Sequence, residues 1–354
     1  RKALTPDEAV KEAAILESKG FKRVLLVLGE DPSLGVDYIT GVVRAIYNGT
    51  GMRIVHVNAA PMSVEDFYEL KSAGVGLYQS FQETYHRETY AQVHPTGAKR
   101  DYDKRLEVLD RALEAGFNDV GIGALLGLYD HRFDCLATIA HSKHLYKKFK
   151  AHAHTVSVPR LRPAEGSAMD SGEFSVSDKD MERVVSVYRL ALPTAGVVVT
   201  TRESESLRAS LIGAGASQMS AASSTAPGGY GEGEGEADIL EQFSTNDRRT
   251  LEEVMASIVK SGNMPSLCTT CYRVGRVGEE FTETTTSGEM EKFCEANAIL
   301  TLKEFVLDRR ANGNEALFEA SINEALRKVE DAGLKAKIVQ KLHELEEGKR
   351  DRFF

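Results

Sequence analysis

Three of the chain's four cysteines lie in one C-terminal segment, with a spacing that suits a metal centre. Cys268 and Cys271 form a Cys-x2-Cys pair, and Cys294 follows after twenty-two intervening residues. Such a pair brings two thiolates within reach of one centre, and a third cysteine can join them from a distance. A structural zinc would favour a fourth Cys or His at short spacing, and no His lies between Cys271 and Cys294. A 4Fe-4S cluster accepts three thiolates and leaves one iron open to another ligand.

The residues leave two alternatives to the iron–sulfur site, a structural zinc and plain core cysteines. A disulfide is disfavoured, because an odd cysteine would be left over and no signal peptide is evident. The composition of the 354 residues is ordinary for a globular protein, with 42% hydrophobic residues and a net charge of −9. An acidic chain without a membrane-length apolar run is not expected to bind nucleic acid or a membrane. We expect it in the cytoplasm, or in an organelle matrix or stroma in a eukaryote.

A strand followed by a helix recurs along the first 225 residues. The strands are continuous apolar runs, which is typical of a parallel sheet buried on both faces. Seven such units predict a TIM-type (β/α)8 barrel whose first strand would precede Arg1, with a doubly wound open sheet as the alternative. We divide the chain into this barrel (1–225), a Gly/Glu-rich linker (226–249) and a mainly helical C-terminal iron–sulfur domain (250–354). The predicted strands span residues 23–30, 53–60, 76–84, 119–127, 154–160, 196–204 and 216–221.

Local signals mark where several helices begin and end. Thr5 and Thr250 each begin a capping box, and Gly20, Gly74 and Gly116 are placed to end helices before a strand. The Ala/Leu/Glu/Lys-rich stretch 314–348 predicts a solvated amphipathic helix or a docking arm, to which we assign no chemistry.

Polar residues gather at the C-terminal ends of four predicted strands, where a barrel carries its active site. Carboxylates at strand ends also commonly cap helices or pair with Arg, but four clusters on one rim favour a pocket. Arg side chains would bind carboxylates and Glu side chains ammonium groups, so a zwitterionic small molecule is the expected ligand. The clusters are residues 29–31, 82–85, 157–162 and 201–204.

These motifs occur in an order that resembles one family, the HydG family of radical-SAM tyrosine lyases that mature FeFe-hydrogenase. The related thiamine-pathway tyrosine lyases share the barrel motifs but lack the three-cysteine tail, so the tail distinguishes the two. The motifs that carry the resemblance are Gly29-Glu30-Asp31, QETYH (82–86), HPTGAK (94–99), SVPRLRP (157–163), TRES (201–204), SQMS (217–220), GGY (228–230) and the cysteine tail.

The resemblance implies a two-stage reaction. S-adenosylmethionine (SAM) on a first 4Fe-4S cluster yields a 5′-deoxyadenosyl radical, and tyrosine is cleaved to p-cresol and dehydroglycine. Dehydroglycine then becomes carbon monoxide and cyanide at an auxiliary 4Fe-4S cluster, which we expect Cys268, Cys271 and Cys294 to hold. The product would pass to a hydrogenase-maturation scaffold protein.

The resemblance also implies roles for residues on the rim. Glu30, beside Gly29, matches the acid that binds the ammonium group of SAM. Arg105 matches a position expected to pair with the SAM carboxylate, with a surface helix charge as the alternative reading. Gln82 and Glu83 lie on the adjacent strand end and complete the predicted cofactor site.

Arg202 and Ser220 match positions expected to hold the tyrosine carboxylate. His154 is the first residue of a predicted strand, at the opposite mouth from the SAM site. There its imidazole could bind an extra iron beyond the open cluster position, with His141 and His144 as rivals.

The chain departs from the family at one place. The Cys-x3-Cys-x2-Cys loop that holds the first cluster is not found in it, and Cys135 lies on an apolar helical stripe. We expect a fragment whose full-length form carries the second 4Fe-4S cluster, and no 5′-deoxyadenosine from this exact polypeptide. The alternatives are a non-catalytic iron–sulfur scaffold and a TIM-barrel enzyme of unrelated chemistry with a zinc.

Overall fold

A parallel sheet of seven strands forms the first part of the molecule. The computed structural model describes residues 3–31, 33–162, 172–231, 245–309 and 313–354. Each strand pairs with the next along the chain, in the order β1 to β7. A doubly wound sheet would reverse direction part-way, so the sequential order confirms barrel-type winding. The strands are β1 (Arg23–Val27), β2 (Ile54–Asn58), β3 (Val75–Gln79), β4 (Val120–Gly123), β5 (Thr155–Ser157), β6 (Gly196–Val199) and β7 (Gln218–Met219).

The two faces of this sheet differ in character. Side chains such as Val55, Val57 and Val156 point outward, are completely buried, and form one core with the surrounding helices. The other face carries small or polar residues. A Cβ on Gly121 would lie 2.7 Å from both the Cβ of Gln79 and Oγ1 of Thr155. These inward positions bound the inside of an open barrel, with β1 and β7 at the ends of the described sheet.

Helices cover the outside of the sheet. The predicted capping box at Thr5 forms, and Gly20, Gly74 and Gly116 adopt positive φ values of 99°, 94° and 84° after their helices. These turns return the chain to the start of the next strand. The helices are α1 (Pro6–Ser18), α2 (Val36–Gly49), α3 (Val64–Ser72), α4 (Arg87–Val93), α5 (Tyr102–Leu106), α6 (Val108–Glu114), α7 (His131–Phe149), α8 (Asp178–Ala191) and α9 (Glu205–Gly213), with 3-10 turns at Ala98–Arg100 and Gly172–Phe174.

The C-terminal region is helical and has a core of its own. The stretch 314–348, predicted as a solvated helix or docking arm, is instead two helices packed on α13. Phe318 and Ile338 are completely buried there, because each helix turns one apolar stripe inward. The helices are α10 (Leu251–Lys260), begun by the predicted capping box at Thr250, α11 (Thr270–Val274), α12 (Gly278–Thr286), α13 (Glu289–Arg309), α14 (Glu315–Lys328) and α15 (Ala332–Glu346).

Charged contacts join this region to the barrel. Arg53, just before β2, pairs with Glu304 of α13, and its Nε lies 3.2 Å from Asp351 Oδ1. Most of the predicted linker, residues 232–244, lies outside the described residues. Among the helices described, none has both the length and the apolar character needed to cross a bilayer.

Candidate functional site

A carboxylate and a guanidinium meet at the C-terminal ends of the strands. Glu30 follows β1, and Arg105 of α5 contacts its carboxylate through Nη2. Arg105 also donates to the Phe81 carbonyl at 3.0 Å and to the Tyr90 hydroxyl at 3.1 Å. Its side chain is only 5% exposed, so the reading as a surface charge is wrong. Burial lowers the pKa of Arg105 to about 10, which still leaves it cationic at neutral pH.

The sequence treated Glu30 and Arg105 as separate ligands, whereas the structure pairs them. A neighbouring carboxylate and guanidinium match the ammonium and carboxylate groups of one amino acid. A zwitterion at this rim can therefore exchange contacts with the pair without leaving a buried charge unpaired. Beside Glu30, a Cβ on Gly29 would meet nothing within 4 Å, so the space there is open.

The loop after β3 presents the predicted Gln82 and Glu83. Gln82 is 3% exposed, and its Nε2 has no hydrogen-bond partner within the described ranges. Glu83 has a φ of 70°, in the left-handed region that non-glycine residues seldom adopt, and its Oε1 lies 2.5 Å from Lys99 Nζ. An unusual backbone conformation persists only where surrounding contacts hold it.

The two residues after Glu83 are held by Asp134, a residue that the sequence analysis missed. Its Oδ1 accepts from the Tyr85 backbone N–H at 2.7 Å and from the Thr84 hydroxyl at 3.0 Å. Asp134 is completely buried, and burial raises its pKa to about 6. The sequence could have revealed Asp134 by its place in the apolar stripe of α7. A buried aspartate is tolerated there only when it has hydrogen-bond partners.

The two residues predicted to hold a substrate carboxylate follow β6 and β7. The Ser220 backbone N–H donates to the Val199 carbonyl at 3.1 Å, which joins the ends of the two strands. Burial lowers the pKa of Arg202 to about 10, while the negative charges of Glu83 and Glu203 act in the opposite direction. Arg202 is therefore within electrostatic reach of the Gln82–Glu83 loop, and the predicted cofactor and substrate residues share one rim.

A group of four charged residues braces this rim next to Arg202. Glu203 is 1% exposed and accepts from both Arg160 and Arg162, in the latter case at 2.7 Å. Arg160 also donates to Asp178 at 2.8 Å. Because Glu203 already accepts hydrogen bonds from two guanidinium groups, we interpret it as a structural residue in the wall of the site.

The three tail cysteines lie at the other end of the barrel. Cys271 is on α11, Cys294 is on α13, and Cys268 is two residues before α11. The Cys268 thiol donates to Thr270 Oγ1 at 3.2 Å and accepts from the Thr270 N–H at 3.4 Å. Burial raises the pKa of Cys271 to about 12, and the charges of Cys268 and Cys294 raise it further. The three thiols are thus electrostatic neighbours, and a metal must displace their protons to bind them.

In the described residues, no three His, Cys, Asp or Glu side chains are arranged around a single ion. Three thiols are a donor set that suits a 4Fe-4S cluster with one open iron, and each thiolate would hold a different iron of it.

A tyrosine next to the cysteines reaches the N-terminal mouth of the barrel. The ring of Tyr272 lies 4.7 Å from that of His56 and 5.1 Å from that of His154, measured between centroids. His154 immediately precedes β5, and its Nδ1 lies 3.0 Å from Asp119 Oδ1, just before β4. Strand starts mark this mouth as the end opposite the rim.

His56 was not singled out by the sequence, because it lies within an ordinary apolar strand. It is buried, and neither ring nitrogen has a hydrogen-bond partner among the residues described. Burial lowers its pKa well below the usual value, helped by the charges of Arg23 and His154. The two rival histidines lie elsewhere, on α7. His141 Nδ1 lies 2.9 Å from the Tyr85 hydroxyl, and His144 Nε2 is 2.9 Å from Asp110 Oδ1.

Comparison with known proteins agrees with this architecture. Residues 1–140 match the radical SAM superfamily, and residues 157–264 match the biotin and thiamin synthesis associated domain. A crystal structure of HydG, a maturase of the FeFe-hydrogenase, superposes with a TM-score of 0.96 at 42% identity, over 100% of this chain and 78% of that one. The chain belongs to the radical SAM superfamily and is HydG-like.

Two further relatives support this membership. HydG from Carboxydothermus hydrogenoformans gives a TM-score of 0.82 at 36% identity, covering 97% of this radical SAM chain and 75% of that chain. A 2-iminoacetate synthase from Salmonella typhimurium is 34% identical over 270 residues, which is 75% of this chain and 69% of the relative. Membership of the superfamily implies SAM and a 4Fe-4S cluster as cofactors.

Proposed function

We propose that this radical SAM protein is a carbon–carbon lyase that cleaves tyrosine to p-cresol and dehydroglycine. We further propose that carbon monoxide and cyanide are then made from dehydroglycine at the three-cysteine tail, for assembly of the FeFe-hydrogenase active site. The printed names of its relatives support this pair of steps, because one is a 2-iminoacetate synthase and two are hydrogenase maturases. The recipient would be a scaffold protein of hydrogenase maturation.

The observation that carries the proposal is the placement of two sets of functional residues at opposite mouths of one barrel. Glu30 and Arg105 lie at the C-terminal rim, whereas Tyr272, which follows Cys271, contacts His154 at the N-terminal mouth. An enzyme that performs one reaction needs one such site. Two separated sites suit a first cleavage at the rim and a second conversion at the tail.

The rim residues have separate tasks in the proposed cleavage. Glu30 accepts from the ammonium group of SAM, and Arg105 donates to its carboxylate. Arg202 and Ser220 hold the carboxylate of tyrosine, which orients the substrate against the cofactor. When bound, SAM and its cluster supply the radical that begins the cleavage, and the auxiliary cluster supplies iron for the products.

At the tail, Cys268, Cys271 and Cys294 would hold the auxiliary 4Fe-4S cluster as thiolates. His154 is proposed as a ligand of an extra iron beside it. Asp119 Oδ1 lies 3.0 Å from Nδ1 of that imidazole, but the two atoms are not aligned as a hydrogen bond among the described residues. A rotation of the ring on binding iron would let Asp119 accept from Nδ1–H and leave Nε2 for the metal.

Serine substitution of each tail cysteine tests the two-site proposal. The chain is produced with an upstream strand and a three-cysteine loop so that the rim can be loaded, and p-cresol and carbon monoxide are measured together. We expect each of the three serine variants to lose carbon monoxide and to keep p-cresol. Cys135→Ser, on α7 and 4% exposed, is the matched control and should keep both products. Equal loss of p-cresol and carbon monoxide in the tail variants would contradict the assignment.

A second candidate is a lyase that stops at dehydroglycine, as the name of the Salmonella typhimurium relative suggests for that protein. The cysteine tail argues against it, because a single cleavage needs no second cluster. Formation of p-cresol without carbon monoxide in the unaltered protein would favour this candidate.

A further inference from the structure

We propose that Arg276 donates an N–H hydrogen bond to a sulfur of the tail cluster and thereby raises the reduction potential of that cluster. The inference deepens the proposed function, because it rests on a cluster held by Cys268, Cys271 and Cys294. Arg276 is a positioning and tuning residue in this scheme, and it binds no iron itself.

The guanidinium of Arg276 is fixed beside the cysteines. It stacks over the ring of Phe293, with 4.4 Å between its central carbon and the ring centroid, and Phe293 directly precedes Cys294. Its Nη2 donates to the backbone carbonyl of Phe354. With one face and one nitrogen held, the direction of the other nitrogen is also determined.

That other nitrogen is buried and has no hydrogen-bond partner in the described part of the chain. A buried, unpaired guanidinium N–H is unfavourable, since its lost hydration is not replaced. Phe293 and Phe354 hold the ring-facing side and the Nη2 of the same guanidinium. The unpaired Nη1 therefore indicates an acceptor that the protein alone does not supply.

The position of Arg276 in the tail indicates that the acceptor is sulfur. Arg276 follows Cys271 by five residues, and the ring on which it stacks belongs to the residue before Cys294. One guanidinium thus lies between the segments that carry two of the three tail cysteines. Cluster sulfurs carry negative charge, and hydrogen bonds to them are among the factors that set a cluster's potential.

A purely structural role for Arg276, as an anchor for Phe354, makes a different prediction. Asn297 holds the same residue, because its Oδ1 accepts from the Phe354 N–H at 2.9 Å. Asn297→Ala therefore loosens the same contact without removing the guanidinium. It serves as the matched control for Arg276.

The test is a potentiometric titration of the 354-residue chain, reconstituted anaerobically with iron and sulfide and followed by electron paramagnetic resonance. Its one cysteine outside the tail is Cys135, so the signal reports on the tail. We expect Arg276→Met to shift the midpoint potential to a more negative value at unchanged iron content. Arg276→Lys keeps the charge but not the planar guanidinium, so it should shift the midpoint potential less. Asn297→Ala should leave the midpoint potential unchanged.

Each result has one reading. The same potential in Arg276→Met as in the unaltered chain overturns the inference, as does an equal shift in Asn297→Ala. If Arg276→Met does not fold, as judged by its circular dichroism, the Lys variant decides, and an unshifted potential there also overturns it. Failure of the unaltered chain to bind any cluster would instead contradict the proposed function, and is seen before the variants are compared.

Discussion

Asp119 Oδ1 lies 3.0 Å from His154 Nδ1, where the strands of the barrel begin. Both groups are nearly inaccessible, with side-chain exposures of 1% and 8%. The two atoms are not aligned as a hydrogen bond in the described part of the chain. Once aligned, a carboxylate beside one imidazole nitrogen fixes the tautomer and leaves the other nitrogen for a metal. The relationship gives the proposed iron ligand a partner that the sequence did not reveal.

The first prediction concerns this pair. His154→Ala should lower the iron content of the reconstituted chain while the tail cluster remains, because the imidazole binds an iron outside the cluster. Asp119→Asn should weaken the same binding by about 10–100-fold, the usual effect of losing an outer-shell partner. Iron and sulfide analysis together measure both effects. His144→Ala is the control, since His144 pairs with Asp110 on α6. If His154→Ala keeps the full iron content, another residue binds the extra iron.

The second prediction concerns the tyrosine carboxylate. Arg202→Lys should raise the KM for tyrosine severely despite the retained charge, because an ammonium cannot replace a two-pronged guanidinium contact. The rate of p-cresol formation against tyrosine concentration measures it, in the chain extended with the upstream cysteine loop. Arg183→Lys, which changes an exposed side chain of α8, should leave the KM unchanged. If the KM of Arg202→Lys equals that of the unaltered chain, Arg202 is not the clamp.

The third prediction follows from Asp134, whose pKa burial raises to about 6. The folded form binds its proton more tightly than the unfolded form, so this contribution to stability is complete below about pH 4 and is lost as the pH rises through 6. Asp134→Asn keeps an acceptor for Thr84 and Tyr85 and removes the buried charge. It should raise the free energy of unfolding by roughly 1–3 kcal/mol at pH 7, with little change at pH 4.

Urea unfolding at the two pH values measures this difference. The control is Asp110→Asn. Burial of Asp110 is outweighed by hydrogen bonds from Lys148 and His144, which lower its pKa, so its charge is stabilising and its replacement should destabilise at pH 7. A loss of stability in Asp134→Asn at pH 7 would show that the ionised carboxylate is needed.

The fourth prediction concerns the second core. Phe318→Ala on α14 should lower the free energy of unfolding by about 3–5 kcal/mol, because its ring is completely buried against α13 and leaves a cavity. Since α13 carries Cys294, the variant should also retain less iron after gel filtration. Leu190→Ala, where the side chain is 83% exposed on α8, should change neither quantity. Unaltered stability in Phe318→Ala would mean that α14 does not brace α13.

The sequence predicted all seven strands and their order, because each strand lies between helix signals and most carry a run of apolar or β-branched residues. It extended most of them by several residues. In β1 the prediction ran to Glu30, but the pairing with β2 ends at Val27. Hydrogen-bonded pairing stops where the chain turns toward the rim, and composition alone does not mark that point.

The site was less predictable, because its contacts join residues far apart in the chain. Glu30 and Arg105 were each identified from motifs, but nothing local indicates that they touch. Asp134 and His56 sit in apolar stretches that read as core. Asp134 matters because it accepts two hydrogen bonds, and His56 because its ring nitrogens have none among the described residues. Both facts depend on how distant elements pack together.

The unequal exposure of the four cysteines has a practical consequence. Cys294 is exposed, Cys268 and Cys271 are intermediate, and Cys135 is buried. In protein without metal, an alkylating reagent should reach Cys294 first and Cys135 last. In an untreated preparation, a Cys294 bound to the cluster should resist the reagent. The fraction of unlabelled Cys294, measured by mass spectrometry, then gives the fraction of molecules that carry the tail cluster before any catalytic assay.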